Sequence, residues 1–404
     1  MSPTFLDEDR LPLAGVKVLD LAHLMQGPWA AEMLADLGAE VIKVEHVRGG
    51  ERGRASGAVT AGGHSAMFLA MNRNKKSLAI DLKRPEGLAV ARDLVAEADV
   101  LIQNFRPGAI ERLGLGWEDV RAINPRLVYC SASGYGPGAG GRPGQDLLAQ
   151  ARSGGMWLVG GADAPPAPAG QFIADVHSAS MLALGALAAL HERSRTGRGR
   201  LVEVDLVGSM LHQMTQEIVA EDLAPGARRG PVPSSPYMEG PYGVYRTADG
   251  YLALSICPVP DLARALGRPE LAEAFPTAQD AAARRDDLAV AVAAVLAERT
   301  TADLLDLLDS QGIWCSPVND FAAMQADPVV GWENRHVRAD HPEAGEILQV
   351  LNPLSLDGAR LPVRATAPLL GEHTAEVLAA AGRSPDQVRH LVAEGVVTTG
   401  RTRA

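Results

Sequence analysis

The chain has 404 residues, long enough for two domains with separate cores, and its 47% hydrophobic and 22% charged content is that of a globular enzyme. A formal net charge of −11 leaves no basic surplus to neutralise a nucleic-acid backbone, although a local group of cations would still hold a phosphate-bearing ligand. Three widely spaced cysteines, Cys130, Cys257 and Cys315, make neither a disulfide framework nor a zinc site and read as core residues in a reducing compartment.

The N-terminal stretch has no basic region followed by an apolar run, so it does not read as a signal peptide. Val16-Lys-Val-Leu-Asp-Leu predicts a strand, Gln26 to Leu37 a helix stopped at Gly38, and Val41-Ile-Lys-Val-Glu45 a second strand. The alternation continues with a strand at Ser77 to Leu82, a helix at Pro85 to Ala98 and a strand at Val100 to Asn104. A helix at Trp117 to Asn124 and a strand at Leu127 to Ser131 follow. Repeated βαβ units predict an α/β class with a doubly wound, Rossmann-like parallel sheet and ligands at the carboxyl ends of its strands. Further on come a very apolar helix from Met181 to Leu190, a strand at Leu201 to Leu206 and a long helix from Val207 to Ala220. The apolar stretch Ala179 to Leu190 falls short of the ~20 residues of a membrane span. With no leader either, a cytoplasmic location is expected.

Residues 224 to 236 form a Pro/Gly/Ser-rich linker, after which Gly243-Val-Tyr-Arg and Tyr251-Leu-Ala-Leu-Ser-Ile predict a hairpin turned at Thr247 to Gly250. Helical segments fill 260 to 311. The domain reading is therefore a large domain over 1–224 and a small α+β domain over 225–330. Residues 331–404 carry strands and one helix, Thr374 to Ala381.

Asp175 occupies the junction between an apolar segment and that apolar helix. A carboxylate there meets the positive end of a helix dipole and is expected to be ionised at neutral pH. Taken alone it reads as an N-cap. Gln145-Asp146 ahead of Leu147-Leu-Ala-Gln-Ala reads as a helix entry, with Asp146 in the first turn.

The ordered set of Gly15-Val-Lys-Val-Leu-Asp-Leu, Gln26-Gly-Pro-Trp, Leu37-Gly-Ala-Glu-Val-Ile-Lys-Val-Glu45, Asn104-Phe-Arg-Pro-Gly, Ser133-Gly-Tyr-Gly, Ala174-Asp175, Arg195-Thr-Gly-Arg-Gly and Ala367-Pro-Leu-Leu-Gly-Glu-His-Thr resembles the class III CoA-transferases, the superfamily that also holds α-methylacyl-CoA racemase. The resemblance implies that residues 331–404 rejoin the large domain and that two chains thread through each other as an interlocked homodimer. It implies coenzyme A and acyl-CoA as substrates, with no tightly bound cofactor and no metal, and a small carboxylic acid as the second substrate. Nucleic acid and membrane are not expected as partners. By the same resemblance Asp175 is the nucleophile, forming an aspartyl mixed anhydride and then an aspartyl-CoA thioester, with Gln145 and Asp146 beside it. The coenzyme would be lined by Met25, Gln26, His46, Ile80, Lys83, Asn104, Phe105, Arg106 and Arg112. The two arginines suit phosphate and Phe105 suits the base. His46 stands where the family often has Arg, and Pro143 where it often has Lys.

Each acyl step develops an oxyanion, for which the glycine-rich loop Gly134 to Gly144 is expected to offer backbone N–H groups and the helix N-terminus beside Asp175 a favourable potential. A racemase needs a base on each face of the α-carbon. The racemases it resembles place His at the position of Gln145 and Glu at about that of Pro258, and neither residue here carries a useful proton. Glu45 at a strand end would suit a dinucleotide ribose, but His23-Leu-Met-Gln-Gly-Pro-Trp lacks the Gly-x-Gly-x-x-Gly that a dehydrogenase requires. A non-catalytic CoA-binding protein is a further reading. His23 and His177 have no spaced cluster around them and read as local residues. Met156, Trp157, Leu158 and Phe172 would wall an acyl group if they face Asp175.

Overall fold

Neighbouring residues in the strands alternate between two apolar faces, and this builds a sheet covered on both sides. Leu19, Ile42, Leu101 and Tyr129 belong to one hydrophobic core, while Val18, Val41, Val100, Val128 and Cys130 belong to another. A computed structural model describes residues 4–139 and 141–400.

The elements around these cores are β1 (Lys17–Asp20), α1 (Gln26–Asp36), β2 (Glu40–Glu45), β3 (Lys75–Ile80), α2 (Pro85–Glu97) and β4 (Val100–Gln103). They continue with α3 (Trp117–Ile123), β5 (Val128–Ser133), α4 (Asp146–Arg152), α5 (Ile173–Thr196) and β6 (Leu201–Asp205), and β7 (Val397–Thr398) closes the set. Among the described residues they form a seven-stranded sheet in the order β7-β3-β2-β1-β4-β5-β6. All neighbours are parallel except β7, which pairs antiparallel to β3 through Val397 and Ile80. The order 3-2-1-4-5-6 is that of a Rossmann sheet, so the chain reverses its direction of growth between β1 and β4 and opens a crevice at their carboxyl ends.

The expected α/β class is present, with local departures. The helix read as Met181 to Leu190 runs from Ile173 to Thr196, which makes it long and apolar enough to cross a membrane by length and composition. Its buried residues Ala179, Leu182, Ala183 and Ala186 pack instead in the core shared with α1. The helix expected over Val207 to Ala220 is two, Leu206–Gln213 and Thr215–Leu223, separated at Met214. Met214 is buried whereas the second helix buries nothing, so the packed face of the first is not continued. The C-terminal part carries a second helix, Pro385–Ala393, whose Ser384 and Gln387 form a capping box.

The chain separates into two compact units, one of residues 1–149, 172–210 and 331–404, the other of 150–171 and 211–330. The second therefore takes 150–171 and 211–224, which the sequence reading had kept in the large domain. Arg229 explains the first of these: its guanidinium donates to the carbonyls of Val159 (2.9 Å) and Ala164 (2.7 Å) and lies over the Trp157 ring. The same unit holds an antiparallel sheet of Gly243–Arg246, Tyr251–Leu254 and Cys315–Pro317, packed with helices around Tyr245, Leu262, Leu288 and Leu308.

Candidate active site

The crevice at the carboxyl ends of β1 and β4 rests on buried charge. Asp20, the last residue of β1, has no exposed surface and meets the Lys43 ammonium at 3.3 Å and that of Lys75 at 2.8 Å. Burial alone would push the Asp20 carboxyl up, but the two lysines hold it below the usual carboxylate value. The lysines also reach backbone carbonyls beyond β1: Lys43 donates to that of Ala22 in the loop and Lys75 to that of Pro28 in α1. Directly above, Leu24 adopts a left-handed φ of 67°, a strained conformation for a non-glycine residue. It is held there from both sides. The buried Glu51 carboxylate accepts the Leu24 N–H at 3.0 Å, and the Asn104 side chain binds both backbone groups of His23. Glu51 is itself pushed down to about 2: burial opposes this, but Lys43, His23 and the N–H groups of Leu24 and Gly53 outweigh it.

Several residues predicted to line the coenzyme lie around this crevice. Met25 and Gln26 follow β1 and are buried at the start of α1, where the Gln26 amide approaches the Ser133 carbonyl at 3.4 Å. Asn104, Phe105 and Arg106 follow β4. Phe105 is partly buried, its ring edge-on to His23 at 5.3 Å, and Arg106 is exposed. Arg112 is exposed on the short helix Ala109–Arg112. His46 follows β2 and is exposed, with Nδ1 taking the Arg48 N–H, and Lys83 is exposed just beyond β3. Ile80 differs: the residue is 1% exposed, lies within the core and is paired with Val397 of β7, so it presents no surface to a ligand.

α5 leads into β6, which runs parallel to the other strands, so its N-terminus is at the carboxyl edge of the sheet. Asp175 lies in that first turn as the third helical residue, while Phe172, not Asp175, occupies the N-cap position. The cap is supplied from another helix. Asp146, in the first turn of α4, accepts the backbone N–H groups of Ala174 (2.8 Å) and Asp175 (3.2 Å) on one carboxylate oxygen. Two expectations change as a result. The favourable potential expected from the helix N-terminus falls first on Asp146, which occupies the Ala174 and Asp175 N–H groups. The Asp175 carboxyl, expected to be fully ionised, is pushed up to about 7 by burial and then by the neighbouring Asp146 charge. The glycine-rich loop closes on itself where Gly134 and Gly144 meet backbone to backbone, so that a Cβ on Gly144 would lie 2.4 Å from the Gly134 Cα. Residue 140 of that loop lies outside the described residues.

Glu45 is fully engaged inside the fold. Arg54 grips both its oxygens at 2.7 Å, and the Ser77 hydroxyl donates to it at 2.7 Å. A ribose hydroxyl would find no free oxygen there, which removes the dinucleotide reading. Trp157 is committed to Arg229, and Phe172 is exposed at the head of α5. Sequence reasoning passed over Glu51, Lys43 and Lys75. The signal was a charged residue inside an otherwise apolar strand, as in Val41-Ile-Lys-Val.

Residues 13–374 match the family described as CoA-transferase family III. The chain is 33% identical to succinyl-CoA:glutarate CoA-transferase of Mus musculus, over 97% of this chain and 92% of that one. It is also 33% identical to the succinyl-CoA–L-malate CoA-transferase beta subunit of Chloroflexus aurantiacus, over 96% and 98%. A crystal structure of a CAIB/BAIF family protein from Brucella suis superposes with a TM-score of 0.79 at 32% identity, covering 92% of this chain and 99% of that one. The chain belongs to CoA-transferase family III and is a CoA-transferase.

Proposed function

We propose that this enzyme moves CoA from succinyl-CoA to a dicarboxylic acid through covalent intermediates on Asp175. The observation that carries the reading is the placement of the Asp175 carboxylate at the carboxyl edge of the sheet that bears the candidate coenzyme residues of the β1 and β4 loops. The donor and the acceptor class are supported by relatives named for succinyl-CoA with glutarate, L-malate and mesaconate. Exchange of one thioester for another is nearly thermoneutral, so the protein's task is kinetic: to pass the acyl group without losing it to water.

Asp175 attacks the thioester carbonyl, and the C–S bond breaks with its electron pair leaving on the CoA thiolate. The thiolate then attacks the aspartyl carbonyl of the mixed anhydride and expels succinate, leaving an aspartyl-CoA thioester. The acceptor acid reverses both steps. Family resemblance supports a homodimer of interlocked chains as the working form.

The test is Asp175→Asn and Asp175→Ala, assayed for CoA transfer alongside CoA binding. Both are expected to lose transfer while still binding CoA. Near-full transfer by Asp175→Asn, with deamidation excluded by mass, would overturn the assignment. So would rapid deuterium uptake at the α-carbon of a 2-methylacyl-CoA with no trappable adduct, which would mark a proton-transfer enzyme.

A further inference from the structure

Asp146 does something at this site beyond adjacency. Its oxygen takes the N–H of Ala174 and of Asp175 itself, so it holds the main chain that carries the nucleophile. It is 5% exposed, and it introduces a second negative charge where a helix N-terminus would otherwise favour one. We propose that Asp146 is a positioning residue for Asp175, fixing its backbone and setting a second charge beside it so that the acylated, neutral form of Asp175 is favoured over the free carboxylate. This rests on the reading of Asp175 as nucleophile.

The charge balance is the physical reason. Before reaction the Asp146 charge acts on the Asp175 carboxylate. When Asp175 attacks the thioester, its negative charge departs with the CoA thiolate, and when the thiolate returns to the aspartyl carbonyl the charge departs with the released acid. Both the anhydride and the aspartyl-CoA thioester are neutral, so each relieves the repulsion from Asp146. A nucleophile raised in this way is also more basic, in line with its carboxyl lying near 7. Asp146, from α4, is a charged group that acts on Asp175, and His177 lies two residues further along α5. The cost of this arrangement is that the Ala174 and Asp175 amides are not free to serve an oxyanion.

Asp146→Asn separates the two roles, because the amide oxygen still accepts both N–H groups while the charge is gone. Asp146→Ala removes both. Each variant and the wild type would be mixed with succinyl-CoA without acceptor, and the ratio of aspartyl-CoA adduct to free chain read by intact mass. The pH dependence of kcat/KM would be measured alongside. In Asp146→Asn the adduct ratio should fall on the order of tenfold and the acid limb should move down by about one pH unit, one unit being a tenfold change. Thermal stability should stay near wild type in Asp146→Asn and drop in Asp146→Ala. A wild-type adduct with an unchanged ratio and acid limb in Asp146→Asn overturns the inference alone. No adduct in the wild type overturns the nucleophile reading, and this inference with it.

Discussion

Asn104 closes on His23 as a neighbouring strand would, its side-chain oxygen accepting the His23 N–H and its amide donating to the His23 carbonyl, both at 2.8 Å. One side chain thereby ties the loop after β4 to the loop after β1 across the crevice. Asn104→Ala leaves two backbone groups unpaired, expected to cost about 1–3 kcal/mol. Because the strained Leu24 turn depends on this clasp, KM for the acyl-CoA should rise more than kcat falls. Asn104→Asp keeps the acceptor and loses the donor, and should fall between. Steady-state kinetics with thermal unfolding checks both; an unaltered KM in Asn104→Ala would show that the loop does not shape the coenzyme site.

The raised Asp175 carboxyl makes a prediction about stability. Between 3.8 and about 7 the folded chain holds a proton that the unfolded chain has released. The stability Asp175 contributes is therefore fully present below pH ~4 and lost as pH rises through 7. Asp175→Asn cannot lose it. That variant should gain on wild type by about 1–2 kcal/mol between pH 5 and pH 8, a figure reduced for the partial exposure of the site. Denaturant midpoints at the two pH values decide, and equal stability at both would contradict the assigned environment.

The sheet was legible in the sequence because β1 to β5 are short, largely apolar runs between helices of period 3.6, and each βαβ unit admits one handedness. The elements that escaped depend on partners far along the chain. Residues Ile173 to Ser180 include β-branched residues, serines and a histidine of modest helix propensity, so the pattern begins to look helical only at Met181. The helix starts eight residues earlier, where Asp146, 28 positions upstream of Ala174, caps it. No local window contains both residues. Glu51 was invisible for the same reason, since its role follows from the 27 positions between it and Leu24. Ser384-Pro-Asp-Gln387, by contrast, is a local capping box, and the reading of a single helix over 331–404 passed over it.

Arg106 and Arg112 are both solvent-exposed near the β4 end of the crevice, with the freedom to meet phosphates. Removing either is expected to weaken CoA binding by about 1–3 kcal/mol. The loss should shrink with rising salt. Calorimetry with CoA and with dephospho-CoA tells which arginine meets the 3′-phosphate: that variant should bind both ligands alike. Unchanged CoA affinity in both Arg→Ala variants would move the phosphates elsewhere.

Gly144→Ala places a methyl 2.4 Å from the Gly134 Cα, and Gly134→Ala places one 2.5 Å from that of Gly144. Backbone against backbone cannot give way cheaply, so each should destabilise by about 1–3 kcal/mol and lower kcat by displacing the loop. Gly138→Ala, in the same loop with open space around it, is the control and should stay within about 0.5 kcal/mol of wild type. Parallel melting curves suffice to compare the three.

The Arg229 contacts bear on how this protein could be divided. A fragment spanning only 225–330 would retain the hairpin and its helices but would strip that guanidinium of the Val159 and Ala164 carbonyls and of the Trp157 ring. It would also shed the Ala162 to Gly230 backbone bond. Because the polypeptide enters this unit, leaves it and enters again before its final exit at 330, no single cut yields the unit whole. Cuts at its four boundaries and one graft would be needed: an engineered link from Gln171 to Leu211, carrying the early segment along with the late one.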